Sequence, residues 1–373
     1  MTELEIKTER IQRMLSGEGL DGVLLNAQHN FSWLSGGSNG IDMTRENGAG
    51  FLFVTRHGER YVIANNIEMP RLLAEQISEY DFNPIEVTWQ AEKDPLTVLN
   101  AARSVASGSN LGCDVGFADT RNVEAAIAGC RYELTNEEID RFKQLGQDAG
   151  EAVGRVIPTL FPGMTEIAIA QIIRDALHGS DIFPVVTLIA ADQRISNFRH
   201  PVPTDNVWKN SLLVVVCARR DGLIASLSRM VCAGEVPAEL QRRTDACASV
   251  NASLYNATRT GAIGSNLYKT AADTYAAQGF AGEIDKHHQG GAAGYRTRDW
   301  VAYPGSQDIV RPNQAFAWNP SITGTKTEET AILIDDELQV VTSTNGFPTI
   351  TTVIDGKEFY SPGILSLSKG ASA

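Results

Sequence analysis

The amino-acid sequence predicts two units in tandem, an α/β unit followed by an α+β unit built on a curved, mostly antiparallel sheet. Three observations carry that reading. An amphipathic opening helix leads into short β-rich runs folded around a tight turn, a capped helix start stands near residue 135, and beyond it five apolar runs of strand length flank two long helical patterns. The chain of 373 residues, 43% hydrophobic and 21% charged, is long enough to bury two cores. The division falls just before Thr135, giving an N-terminal α/β domain of 1–132 and a C-terminal α+β domain of 133–373.

From Met1 to Leu15, the charged residues Glu3, Glu5, Lys7, Glu9, Arg10 and Arg13 are spaced among apolar ones, which is an amphipathic helix without the apolar stretch of a secretory leader. Strands follow at Gly22–Asn26, Phe51–Thr55 and Arg60–Ala64, the last two joined through Arg56-His57-Gly58, and then a helix over Pro70–Ile77. Thr135-Asn136-Glu137-Glu138 opens a long helix with an N-cap and early acids. Pro162-Gly163-Met164-Thr165-Glu166 is a turn leading into a helix that ends near Leu177. Pro184–Ala190, Leu212–Ala218, Leu223–Val231, Ala315–Ile322 and Thr330–Ile334 read as strands, with helices at Pro237–Tyr255 and Ser265–Ala277 between the third and the fourth.

Composition narrows the function. A formal charge of −13 disfavours nucleic acid or an anionic membrane as partner and leaves a small-molecule substrate as the expectation. No apolar run is long enough to span a bilayer. The five cysteines, Cys113, Cys130, Cys217, Cys232 and Cys247, are odd in number and not closely paired, which argues against a disulfide framework or zinc ribbon and for the cytoplasm.

Four segments far apart in sequence hold nearly all the candidates for chemistry: Phe198–Thr204; Val215–Gly222 with Ala225–Arg229; His287–Gly291 with Tyr295–Asp299; and Trp318-Asn319-Pro320 with Lys326–Thr330. In this order, from about Glu137 to Ile334, they resemble the creatinase and aminopeptidase P family, the pita-bread enzymes. That family runs from P-G-x-T-E to a His-bearing stretch, an A-R-x-x-G strand pair closing on S-D-x-T-R, a Gly-rich turn after His, E-P-G and an E-D-T strand. Asn30–Gly37 is similar to the family's cap domain, so the resemblance covers most of the chain. It implies an α/β cap, a pita-bread catalytic domain, and a homodimer whose partner cap nears the pocket through residues such as Asn39, Arg45 and Glu46.

Peptidases of that family hold two divalent metals with two Asp, one His and two Glu, because hard cations need several charged oxygens. At the matching positions this chain carries Val215, Ser226, His288, Asn319 and Glu328. Two ligands of five do not hold a metal pair, so the expectation is no catalytic metal and no cofactor. Within the family, creatinase works without metal. The resemblance places its acid/base on His200, its substrate-carboxylate clamp on Arg298 and its retained acid on Glu328.

Metal-free hydrolysis of an amide, amidine or guanidino group needs a base for water, an acid for the departing nitrogen and a fixed carboxylate. His titrates near neutrality and serves both proton roles. His200, His288 and Glu328 are therefore the expected catalytic residues, and Arg298, His287, Tyr295, Asn319 and Phe198 the expected substrate-binding ones. The function expected is a metal-independent hydrolase of a C–N bond in a small carboxylate-bearing substrate. Its rivals are an Xaa-Pro-type metallopeptidase with rebuilt ligands and a catalytically inactive pita-bread binding protein.

Plainer readings stand beside these. Arg298 next to Asp299 also reads as an internal salt bridge, His287-His288 as a loop, Cys217 as core filling, and Trp318, Phe198 and Trp33 as core aromatics. Arg229 reads as a structural ion-pair partner. Glu328 and Glu329 are consecutive on a strand, so they face opposite ways and only one enters a site.

Overall fold

Helix α1 (Glu3–Glu18) opens on a reciprocal capping box between Thr2 and Glu5 and stops at Gly19, whose φ of 66° suits a residue without a side chain. After it come β1 (Gly22–Ala27), α2 (Gln28–Ser35), β2 (Asn47–Thr55), β3 (Arg60–Asn65), α3 (Met69–Arg71), β4 (Asn83–Val87), α4 (Pro95–Val105), β5 (Leu111–Cys113), β6 (Arg121–Asn122) and α5 (Glu124–Arg131). The helix expected at Pro70–Ile77 is α3 continued as a wider π-turn over Leu72–Gln76. The strands form one mixed sheet in the order β4-β3-β2-β1-β5-β6. Leu24, Phe53, Ile63, Val98 and Leu99 fill the core on its α4 side.

The computed structural model describes residues 1–78 and 81–368, and the chain separates into two units, Met1–Tyr132 and Glu133–Ala373. In the second unit α6 (Asn136–Val156) begins on the Thr135–Glu138 capping box, and α7 (Glu166–His178) on the Thr165 hydroxyl. There follow β7 (Phe183–Ala191), α8 (Gln193–Asn197), β8 (Ser211–Arg220), β9 (Leu223–Ala233), α9 (Ala238–Ala257) and α10 (Gly264–Ala277). Asp221 and Gly222 both have positive φ, the geometry of a two-residue hairpin, so Asp221 is a turn former at the β8–β9 tip.

The remaining strands are β10 (Gly290–Ala293), β11 (Trp300–Val301), β12 (Ala315–Trp318), β13 (Ser321–Ile322), β14 (Thr325–Lys326), β15 (Glu329–Ile334), β16 (Glu337–Val340), β17 (Thr349–Ile354), β18 (Lys357–Pro362) and β19 (Ile364–Leu367). The strand expected from Ala315 to Ile322 is thus two, broken at Asn319-Pro320, where proline lacks the N–H a ladder needs. Two larger sheets result, β19-β9-β8-β7 and β11-β10-β12-β15-β16, beside the two-stranded β13–β14 and β17–β18 pairs, with β9–β19 the parallel pair among otherwise antiparallel partners. They meet where the Ser228 amide donates to the Glu328 carbonyl and the Ser226 amide to the Thr330 hydroxyl. That seam positions the candidate site.

Among the described residues no helix is long and apolar enough to cross a membrane. All five cysteines are buried and free.

Candidate active site

Three imidazoles converge in the second unit. The ring centroids of His200, His287 and His288 lie 4.5 to 5.8 Å apart, and one ligand nitrogen from each falls within 4.8 Å of the others. His200 and His288 are exposed and His287 is half-buried. His287 faces His200 through Nε2 at 3.2 Å, while its Nδ1 stands 3.2 Å from the Ser321 hydroxyl.

Long-range contacts bring these residues together. Glu166, fully buried at the start of α7, accepts from the Thr204 amide at 3.0 Å, the Thr204 hydroxyl at 2.9 Å and the Ala191 amide at 2.8 Å, and pairs with Arg194, whose guanidinium also holds the Val202 carbonyl. The extended stretch carrying His200 is thereby clamped just past Pro201. Next to His200, Arg199 reaches Glu283 at 2.7 Å, which fixes that stretch to the turn leading into His287. Gly290, two residues past His288, has φ of 95°, and a Cβ there would come within 2.1 Å of the Ala317 carbonyl. Only glycine lets β10 close on β12 so soon after the His pair.

Below the imidazoles lies a buried ion group. Glu328 receives Lys326 at 2.7 Å, Arg298 at 2.9 Å and the Ser228 hydroxyl at 2.6 Å. Burial opposes its ionisation, but the two cations outweigh it and hold the carboxyl down to about 2. Burial, followed by the Lys326 ammonium, pushes His287 down to about 2; burial, followed by Arg298, pushes His288 down to about 4; and burial and Lys326 lower His200. At neutral pH all three rings are therefore uncharged, with lone pairs available.

The other residues singled out from the sequence take up varied surroundings. Arg298, expected to clamp a substrate carboxylate, donates to Glu328 and to the Thr297 carbonyl, and its Nε has no hydrogen-bond partner among the described residues. Tyr295 is buried, its hydroxyl donating to Glu138 at 2.8 Å, and offers a substrate no surface. Asn319 is also buried, although its Oδ1 lacks a hydrogen-bond partner among the described residues. Phe198 is exposed, with the Arg194 guanidinium 5.4 Å from its ring. Trp318 and Trp33 are core residues: the first stacks on Phe316 with its N–H on Thr258, and the second lies against Lys7. Asn39, offered as a lid residue, is fully buried and ties β1 to β2 through the Asn26 and Gly50 carbonyls.

Glu329 faces away from Glu328 and pairs with Arg229 at 2.9 Å, as strand alternation requires. Cys217 is a buried thiol that accepts from Ser226, and burial raises its pKa, which suits core filling. Sequence reasoning missed Lys326, Ser321, Glu166 and the Arg199–Glu283 pair. Of these, Lys326 had a signal, standing two residues from Glu328 on an extended segment and so on the same face.

The profile described as metallopeptidase family M24 matches residues 140–342, and that of the creatinase/prolidase N-terminal domain matches residues 7–138. A Bacillus subtilis (strain 168) chain named uncharacterized peptidase YqhT is 21% identical over 360 residues, covering 93% of this chain and 98% of its own. Among solved structures, dipeptidase PepE from Mycobacterium ulcerans superposes with a TM-score of 0.78 at 14% identity over 98% of each chain. Prolidase from Pyrococcus horikoshii OT3 does so with 0.76 at 15% identity, over 91% of this chain and 98% of its own. These matches overturn the expectation of a metal-independent, creatinase-like hydrolase, because the relatives bear the names of peptidases and prolidases.

The family's name implies metal, and the five ligand positions do not fit a metal pair. Val215 packs with Leu213, Met230 and Ile195 in an apolar cluster, Ser226 is bonded to Cys217, and Glu328 is already neutralised by two cations. A dication at Glu328 would have to displace Lys326 or Arg298. No step is routed through such a pair.

Proposed function

The chain belongs to metallopeptidase family M24, a family of hydrolases, and from that premise we propose that it hydrolyses the peptide bond of short substrates, of the Xaa-Pro type, at a rebuilt centre made by His200, His287 and His288. The single observation that carries this reading is the convergence of three imidazoles, two of them open to solvent, above a buried carboxylate. The names of the matched prolidase and peptidases support the bond type.

Hydrolysis forms a bond from the water oxygen to the carbonyl carbon and breaks the C–N bond, with the departing nitrogen taking a proton. Imidazole nitrogens with free lone pairs can draw the proton from water and return it to that nitrogen. The Arg298–Glu328–Lys326 group beneath carries one net positive charge, which favours negative charge developing on the carbonyl oxygen above it.

The test is release of free proline from Xaa-Pro dipeptides, beside a panel of other dipeptides, in buffer alone and with added manganese, cobalt or zinc. Turnover should fall about 100-fold or more in His200→Ala and in His288→Ala. A second reading, a non-catalytic binding protein, is favoured by the loss of acid at Val215, Ser226 and Asn319. Absence of dipeptide hydrolysis under every metal condition would decide for it.

A further inference from the structure

We propose that His200, His287 and His288 form a binding site for one borderline divalent cation, of the zinc and cobalt class, through their ring nitrogens. The ion's binding does not depend on the hydrolysis proposed above. Three of the chain's six histidines meet here from segments 87 residues apart, and among the described residues this is the one His, Cys, Asp and Glu group with metal-ligand spacing.

Geometry supports a nitrogen site. Tetrahedral zinc with Zn–N of about 2.0–2.1 Å sets neighbouring ligand nitrogens about 3.3 Å apart. The Nε2 atoms of His200 and His287 stand 3.2 Å apart, and a ring nitrogen of the exposed His288 lies within 4.8 Å of the other two ligand atoms. Ser321 on the Nδ1 of His287 is the outer partner that orients a ligating imidazole and leaves Nε2 for the ion. With His200 and His288 open to solvent, a further coordination position faces water.

Charge selects the ion. Glu328 is taken by Lys326 and Arg298, so no free carboxylate reaches the cluster from that pair, and the net positive charge below it repels cations that bind by charge alone. Magnesium and calcium, which require anionic or carbonyl oxygens, are excluded, and manganese is disfavoured. Zinc, cobalt, nickel and copper, which imidazole binds well, are the ions the site takes.

The protein, freed of metal by dialysis against chelator, is titrated calorimetrically with zinc chloride and, separately, followed by visible absorption on adding cobalt chloride. One zinc per chain and a tetrahedral cobalt spectrum are expected, with magnesium unable to compete. His200→Ala and His288→Ala should each weaken zinc by about 100-fold or more, and Ser321→Ala, a positioning residue, by about 10-fold. His57→Ala and His178→Ala, at exposed positions outside the cluster, should leave binding unchanged, and circular dichroism checks that each variant folds. No zinc uptake by the folded wild type, or equal uptake in the His200 and His288 variants, overturns the site. Zinc uptake without dipeptide hydrolysis would sink the peptidase reading alone, and chelator-resistant hydrolysis without uptake would sink this inference alone.

Discussion

Glu328 shows how one side chain's role depends on its neighbours. On an isolated strand it is an acid of ordinary strength; between Lys326, Arg298 and Ser228 it is the counter-charge that keeps two buried cations tolerable. Glu328→Gln removes that charge and leaves both cations uncompensated. Stability measured by urea unfolding should fall by about 3–5 kcal/mol, whereas an acid serving only as a reactant would cost little when neutralised. Arg298 illustrates the same point in reverse: its sequence neighbour Asp299 suggested one ion pair, and the fold supplied Glu328 from 30 residues away as the partner that holds it.

Helix α6 lies against the chain leaving β16, and its packing surface is made of glycine. A Cβ at Gly146 would stand 2.4 Å from the Val341 carbonyl, and one at Gly150 would stand 2.3 Å from the Ser343 carbonyl. Helix propensity alone predicts that Gly146→Ala stabilises by about 1 kcal/mol. The contact predicts the opposite, a net loss of about 1–3 kcal/mol, because a backbone carbonyl does not yield as a flexible side chain does. Chemical denaturation of Gly146→Ala decides between them by sign. The broken strand at Asn319-Pro320 is a second effect at this scale: the break separates β12 from the β13–β14 hairpin, and that hairpin carries Ser321 and Lys326 to the imidazoles and to Glu328.

Each unit of the molecule carries an acid held ionised by its neighbours, half-buried in the first and buried in the second. In the first, burial opposes the ionisation of Glu124, but the hydrogen bond to His29 and the Arg131 guanidinium prevail and lower it to about 2. In the second, Glu328 is lowered to about 2. A carboxyl whose folded pKa lies below its unfolded value of 4.5 stabilises fully above 4.5, and that contribution is lost as pH falls toward 2. Wild type and Glu124→Gln, compared by urea unfolding across this range, should therefore differ most at pH 5 and converge by pH 2. A constant gap would show that Glu124 acts through packing rather than charge.

By itself the sequence determined many of the elements and the family. Capping at Thr2, Thr135 and Thr165, the turn at Asp221-Gly222 and the alternation that separates Glu328 from Glu329 are local rules, readable within a few residues. The site was legible as a set of segments, with His200, His287, His288, Arg298 and Glu328 all named from sequence. Only the tertiary structure decided how they are arranged. Whether Arg298 meets a ligand or Glu328, whether Tyr295 faces a pocket or Glu138, and whether three histidines from two segments share one point depend on distances across the fold. Electrostatic roles depend on separation and burial in space, and residue spacing along a chain encodes neither.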